Sequence, residues 1–356
     1  MRVPMMSHLK RVLFHCIRLA GGFAIAQRIT RTQLRILCYH GFSISDEHEL
    51  APYVFMRTET FERRMRTLHK RGLSVISLDE AVERLRAGTI TKGETVITFD
   101  DGWASDLLIM PILESYRFPA CVYITTEHLN AGTEAFNVIL AQMVRRSQKD
   151  SIFLRNIHPL IDGDYAIAQD PALALGKILA ATGKIGSLQD CQRLLRPLAE
   201  ALGLDYEAFV AGGRFQFLTK EQIEALARTG VSIQLHTHSH HLPSENFDAM
   251  ATEIQKNRAA IAALTGTEPT HFCYPSGEYS AWHPEWLARL GVVSATTCDS
   301  GFNNSGDSLL LLNRYLDSEF TSDIEFEAEV TGFRELLRRM RSALLGRPAR
   351  PAPRHD

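Results

Sequence analysis

Short apolar runs alternate with helical stretches along most of the chain, joined by brief links. Leu34 to His40 reads as a first strand closed by Gly41, and residues 42–57 read as a loop. Thr58 to Arg71 predicts a helix, with Thr58 as N-cap, Phe61, Met65 and Leu68 on its buried face and Gly72 as its stop. Leu73 to Leu78 predicts a second strand, followed by a helix to about Arg86. Residues 95–100 predict the central strand, Leu107 to Tyr116 a helix and Pro119 to Thr125 a further strand. This alternation is the signature of a parallel α/β sheet or barrel.

The rhythm stops between 130 and 217, a segment rich in Ala, Leu, Gln and Arg with helical periodicity and no convincing strand. It predicts a mostly helical insertion, either a lid on the substrate side or an appendage. The rhythm returns at Thr219 to Thr229, where Thr219 and Gln222 have the spacing of a capping box. There follow a strand (Val231 to Leu235), a helix (Phe247 to Thr265), a strand (His271 to Tyr274) and a helix (Pro284 to Leu290). Val292 to Thr297 and Leu309 to Leu312 predict the last strands. A final helix from about Ile324 to Leu345 carries a basic face of Arg334, Arg338 and Arg341. The proline-rich tail, 347–356, reads as disordered.

At the N-terminus, Val12-Leu13-Phe14 and Leu19 to Ala26 are apolar but interrupted by His15, Arg18 and Gln27, too short a run to span a bilayer. A signal peptide with Ala24-Ile25-Ala26 as its small-residue site is disfavoured, because His15 and Arg18 break the apolar region. Residues 1–33 are expected to form a basic amphipathic helix, lying either at a membrane surface or against the domain.

Composition narrows the classes. The 356 residues are 45% hydrophobic and 22% charged, ordinary for a globular protein, and a net charge of −2 argues against a general nucleic-acid binder. The charge is uneven: seven basic residues precede the first acidic one, Asp46. Six cysteines form no CxxC pair, which fits buried free thiols in a reducing compartment.

The chemistry concentrates at predicted strand ends. Val96-Ile97-Thr98-Phe99 runs into Asp100-Asp101-Gly102, and buried adjacent carboxylates are costly unless compensated. A plain turn is the competing explanation. Val231 to Leu235 runs into His236-Thr237-His238-Ser239-His240-His241. If the chain turns helical there, His236 and His240 share a face, and His238 and His241 fall at the surface or behind the ligands. In parallel α/β folds the C-terminal strand ends meet on one face, so Asp101 can complete a set of two imidazoles and a carboxylate. Three protein ligands leave a position open for water, the catalytic arrangement.

Thr98-Phe99-Asp100-Asp101-Gly102, His236-Thr237-x-x-His240 and Tyr274-Pro275-Ser276-Gly277 together resemble, in order and spacing, the polysaccharide deacetylase family, also called the NodB-homology or carbohydrate esterase 4 family. Ile36 to His40 and Phe61-Glu62-Arg63 resemble its first strand and first helix; the resemblance covers about 34–128 and 216–315. It implies a distorted (β/α) barrel of the NodB-homology type; on this chain the barrel is assigned to 34–129 and 218–320, and the residues themselves give the helical insertion at 130–217 and a basic helix at 321–346. It also implies metal-dependent removal of N-acetyl groups from amino sugars. Asp100 then corresponds to the general base, Asp101, His236 and His240 to the metal ligands, and the backbone N–H of Tyr274 to an oxyanion donor.

The chain departs from the family pattern twice. No arginine stands just before the third motif (His271-Phe272-Cys273), and Leu310 to Arg314 lacks the Leu-x-His that supplies the general acid. His40 is the candidate acid in its place. Arg314 is assigned to the substrate side, with pairing to Asp100 as the alternative. Trp103 and Pro275 are candidate substrate contacts, Trp103 by stacking on a sugar or else by simple packing. Asp299 and Asn303 read as turn residues.

The expected function is hydrolysis of N-acetyl groups on an amino-sugar polymer or a lipid-linked saccharide, through a divalent metal: zinc first, with cobalt, nickel or iron acceptable. The rivals are hydrolysis of another C–N bond, in a formamide or cyclic amide, and an inactive sugar-binding relative. The expected partners are an N-acetylated saccharide and, through the basic terminal helices, a membrane surface, with no nucleic acid. The expected location is cytoplasmic, peripheral at the inner membrane face, with a periplasmic one left open.

Overall fold

The computed structural model describes residues 5–345, with side chains from Leu9 onward; the tail at 347–356 lies outside the described residues. Seven parallel strands form the central sheet: β1 (Arg35–Tyr39), β2 (Thr95–Phe99), β3 (Cys121–Ile124), β4 (Ser232–Leu235), β5 (His271–Cys273), β6 (Ser294–Thr296) and β7 (Tyr315–Leu316), in the spatial order β6-β5-β4-β3-β2-β1-β7. β1 and β2 are buried at every position, as expected where a parallel sheet is covered on both faces. The sheet curls until its edges meet. Leu312 bridges Thr296 of β6, and three residues later Tyr315 and Leu316 pair with Leu37 and Cys38 of β1. One short segment thus closes a distorted barrel.

Side chains alternate between two environments with the strand period of two. Leu37, Tyr39, Ile97, Phe99, Val122 and Ile124 join the outer core, beneath the helix Thr58–Lys70 (Phe61, Met65, Leu68) and the helix Phe247–Thr265 (Met250, Ile254, Ile261). Ile36, Val96, Cys121, Tyr123 and Cys273 fall in a second cluster, with Leu78, Ala81, Val82 and Leu85 of the helix Leu78–Ala87. Carrying the inner alternation past the strand ends brings in His40, Asp100, Thr125 and His236.

Several expectations are corrected. Thr58 is the first helical residue and Arg57 the flanking one, with no side-chain cap, because Thr60 and Arg57 are drawn to Glu319 instead. Residues 73–78 form no strand beyond one bridge, Val75 to Thr95. The 42–57 loop holds a short helix, Glu47–Leu50, whose Glu47 and neighbour Asp46 pair with Arg214. Leu309 to Leu311 turn rather than pair, and the closing strand lies at Tyr315–Leu316. The final helix is two, Asp323–Val330 and Phe333–Leu345, split at Gly332; its φ is 81°, and a Cβ there would stand 2.3 Å from Thr30 Oγ1. The N-terminal segment likewise makes two helices, Met5–Leu19 and Gly22–Ile29.

The segment 130–217 contains helices Phe136–Arg146, Pro171–Thr182, Leu188–Arg193, Leu195–Ala201 and Tyr206–Val210. It also holds an antiparallel hairpin, Ser151–Leu154 with Gly163–Ala166, where no strand was expected. Ile152 and Leu154 of that hairpin sit in one apolar cluster with Ile139, Met143, Ile178, Leu195 and Leu198. Phe55 and Trp103 enter the same cluster and fasten the insertion to the barrel.

Candidate active site

Asp101 follows β2 with φ 74° and Gly102 with φ 80°, two successive left-handed residues. Glycine is required at the second, since a Cβ there would meet Ile124 Cγ2 at 2.8 Å. The sharp turn aims Asp101 at the end of β4. Its Oδ1 lies 3.2 Å from His236 Nε2 and 3.3 Å from His240 Nε2, and the three ligand atoms lie within 4.8 Å of one another.

No helix brings the two histidines together. Residues 236–240 make an irregular turn in which Thr237 (φ 63°) and His240 (φ 59°) are left-handed, leaving the rings 4.9 Å apart between centroids. The turn is pinned from three sides. Thr126 N–H and Glu127 N–H donate to His238 O, Ser239 N–H donates to Glu253, and His236 N–H donates to Asn257 Oδ1. Asn257 in turn donates to Ile124 O and Thr126 Oγ1. It is a residue the sequence reading missed, signalled only by being polar within the apolar stripe Met250, Ile254, Ile261.

His236 Nδ1 donates to Cys273 O at 2.8 Å, which fixes the tautomer and leaves Nε2 free to face Asp101. Burial works against the imidazolium of His236, but the hydrogen bond to Asp101 and the two nearby carboxylates outweigh it and raise its proton affinity. Asp101, His236 and His240 are a set of three that could hold a metal cation. Donors about 2.0–2.1 Å from a tetrahedral metal stand roughly 3.3 Å apart, close to the spacing found here, and two imidazoles with a carboxylate suit zinc and its neighbours. Trp103 Nε1 donates to Asp101 Oδ2 at 3.1 Å, orienting the other oxygen.

Asp100 lies at the next position inward. Burial alone would raise its pKa, but the Arg314 guanidinium beside it overrides that and holds the carboxyl well below the usual range. Arg314 is fully buried and donates to both oxygens, and its Nε donates to Thr297 O. Its assignment as a substrate contact is therefore corrected: it is the partner of Asp100. Cys38 Sγ and Cys273 Sγ each lie 3.4 Å from Asp100 Oδ2. His40 stands at the end of β1, partly exposed, with Nε2 4.0 Å from the same oxygen.

Three further assignments change. The backbone N–H of Tyr274 donates to Thr296 O at 3.1 Å within the β5–β6 ladder, so it is not free for an oxyanion. Trp103 borders the cavity beside Asp101 but is 2% exposed and packed against Phe55 and Phe217, too little open surface to stack on a sugar. Pro275 is buried, and its neighbour Ser276 reaches the cavity wall instead.

That cavity, about 380 Å³, opens beside Asp101 and His240. Its lining combines Thr125, Glu127, His238 and Ser276 of the barrel with Glu134 to Val138 and Leu188 of the insertion. No lysine or arginine is among its lining residues.

No curated protein sequence matches the chain. Among solved structures, that of the Streptococcus pyogenes deacetylase PplD in complex with acetate superposes with a TM-score of 0.56 at 17% identity, covering 84% of this chain and 98% of that one. IcaB from Ammonifex degensii gives 0.55 at 17%, covering 84% and 97%. The putative polysaccharide deacetylase BA0330 from Bacillus anthracis gives 0.53 at 14%, covering 84% and 69%. Residues 185–295 match the family model for polysaccharide deacetylase, a stretch that includes His236, His240 and Tyr274 to Gly277 and leaves the Asp100-Asp101 turn outside it. That match covers under a third of the chain; with the barrel and the order of its strand-end motifs, it agrees with the resemblance to the polysaccharide deacetylase family.

Proposed function

We propose that the protein is a metal-dependent hydrolase that removes N-acetyl groups from an amino-sugar polymer or a lipid-linked saccharide. The observation that carries this reading is the convergence of Asp101, His236 and His240, with the His236 tautomer locked by Cys273 O. A divalent cation held by these three residues would acidify a water molecule and polarise the acyl oxygen.

The chain's own groups divide the remaining work. Asp100 takes the proton of the attacking water; held ionised by Arg314, it is a weak base, suited to an acidified water rather than an ordinary one. Each Asp100 oxygen accepts from Arg314, so the base stays in one orientation. His40, 4.0 Å from Asp100 at the rim of the barrel, is placed to return a proton to the leaving amine. The cavity wall presents Asp101, Glu127 and Glu134 and, beside its histidines, no lysine or arginine, which favours a neutral or amino-bearing sugar over an anionic one at that position. Acetate, present in the S. pyogenes structure, is the expected acid product.

Acetate release from N-acetylglucosamine oligomers and from lipid-linked N-acetyl sugars, with metal content measured alongside, tests the proposal. Asp100→Asn should keep the metal and lose on the order of 10²-fold or more in turnover, His236→Ala should lose the metal, and His40→Ala should slow release with metal retained. A fully active Asp100→Asn enzyme would refute the assignment of the base.

A further inference from the structure

The two N-terminal helices leave far more apolar surface open than their docking requires. In Met5–Leu19, Phe14 is buried and Ile17 partly so, against Phe23, Ile324, Ala328 and Phe333. Leu9, Val12, Leu13, Cys16 and Leu19 recur at spacings of three and four, so they share a different face of that helix. All five are exposed, Leu9 at 73% and Leu19 at 82%. The second helix adds Ile25 and Ile29, at 60% and 58%. The C-terminal helix Phe333–Leu345 packs beside it and bares Leu337, Met340 and Leu344 at the same spacing. Isolated exposed apolar residues are ordinary, but a continuous set of this size marks a contact surface.

The surface is held firmly to the barrel. Arg35 of β1 is fully buried and donates to Thr30 Oγ1, just after the second helix, and to Val330 O before the C-terminal one. Lys10 and Arg18 add ion pairs to Glu325 and Glu327. The face is therefore presented by the folded protein and is not a loose segment.

Charge indicates what covers it. No acidic residue occurs before Asp46, and Arg28, Arg31 and Arg341 are exposed with no acidic partner among the described residues. In a symmetric pair of identical copies this basic rim would face itself and repel. A surface of anionic headgroups over acyl chains satisfies both features. Among the described residues no single helix is long and apolar enough to cross a membrane, and the two N-terminal helices, which pass by length and composition only as a pair, are bent by 76° at their junction.

We propose that this face docks the protein on a lipid bilayer containing anionic phospholipid. Leu9, Val12, Leu13, Leu19, Ile25 and Ile29 enter the acyl boundary, while Arg28 and Arg31 sit among the headgroups. The active-site reading is not needed for this.

The test is cosedimentation of the full chain with vesicles of phosphatidylcholine alone or mixed with phosphatidylglycerol. Binding is expected on the mixed vesicles, weaker on phosphatidylcholine and weakened by salt. Val12→Glu with Ile25→Glu should lower it about tenfold or more, and Arg28→Ser with Arg31→Ser should erase the preference for anionic lipid. Circular dichroism verifies that each variant is folded, and Leu19→Ser offers a milder change if the double glutamate variant is not. Equal binding by the folded apolar variants, absence of binding by the parent chain, or a dimer that Val12→Glu dissolves with no vesicle binding would each overturn the proposal.

Discussion

Arg314 and Asp100 meet as a two-point fork, Nη1 2.7 Å from Oδ1 and Nη2 2.7 Å from Oδ2, across 214 residues of sequence. Both side chains are buried, so each charge depends on the other for compensation. The residue just before Tyr274 is Cys273, whose Sγ lies 3.1 Å from Nη2. The guanidinium that holds Asp100 comes from the barrel-closing segment, and its Nε donates to Thr297 O, just after β6.

Replacing Arg314 separates charge from geometry. Arg314→Lys keeps a cation but not the planar fork, and kcat for acetate release should fall on the order of ten- to a hundredfold with metal retained. Arg314→Met leaves Asp100 buried without its cation and should cost about 3–5 kcal/mol in urea unfolding. A lysine variant of normal kcat would show that the fork is dispensable.

Trp103→Phe retains an aromatic ring between Phe55 and Phe217 but removes the N–H donated to Asp101 Oδ2. Such outer contacts hold a ligand oxygen in position, so metal affinity should drop about 10- to 100-fold. Competition against a chromogenic chelator reads this directly, and unchanged affinity would reduce Trp103 to a packing residue.

Asp106 lies in the turn after Trp103, fully buried, and neither carboxylate oxygen has a hydrogen-bond partner. Burial, reinforced by the charges of Asp101 and Asp100, pushes its pKa well above the usual carboxylate range. A carboxyl raised on folding contributes fully below its unfolded pKa of about 3.9 and loses that contribution as pH rises. Asp106→Asn, which cannot ionise, should therefore match the parent near pH 4 and exceed it at neutral pH, by about 2–4 °C in Tm. Thermal unfolding of the metal-free protein at both pH values tests this; a gain independent of pH would place the cause elsewhere.

Much of the barrel was legible because its signals are local. The capping box at Thr219 and Gln222 is present as spaced, and Phe247–Thr265 is one helix end to end. The apolar runs before Asp100, His236 and Tyr274 are strands, since buried parallel strands need near-continuous apolar sequence. Leu309 to Leu311 misled for the same reason, a strand-like run that turns before Leu312 bridges Thr296. The true closing strand is two residues long and carries too little pattern to register. Gly332 split the single helix expected from about Ile324 to Leu345.

Sequence by itself determined the elements, the polar clusters at three strand ends and the residues available to hold a cation, because periodicity, caps and composition act over a few residues. Only the tertiary structure decided which of them meet. Asp101 and His236 are 135 positions apart, Tyr274 had its N–H taken by a neighbouring strand, and Arg314 turned inward to Asp100. Those outcomes depend on strand order and barrel closure, and a buried charge or N–H is assigned its partner only by what the folded chain places beside it.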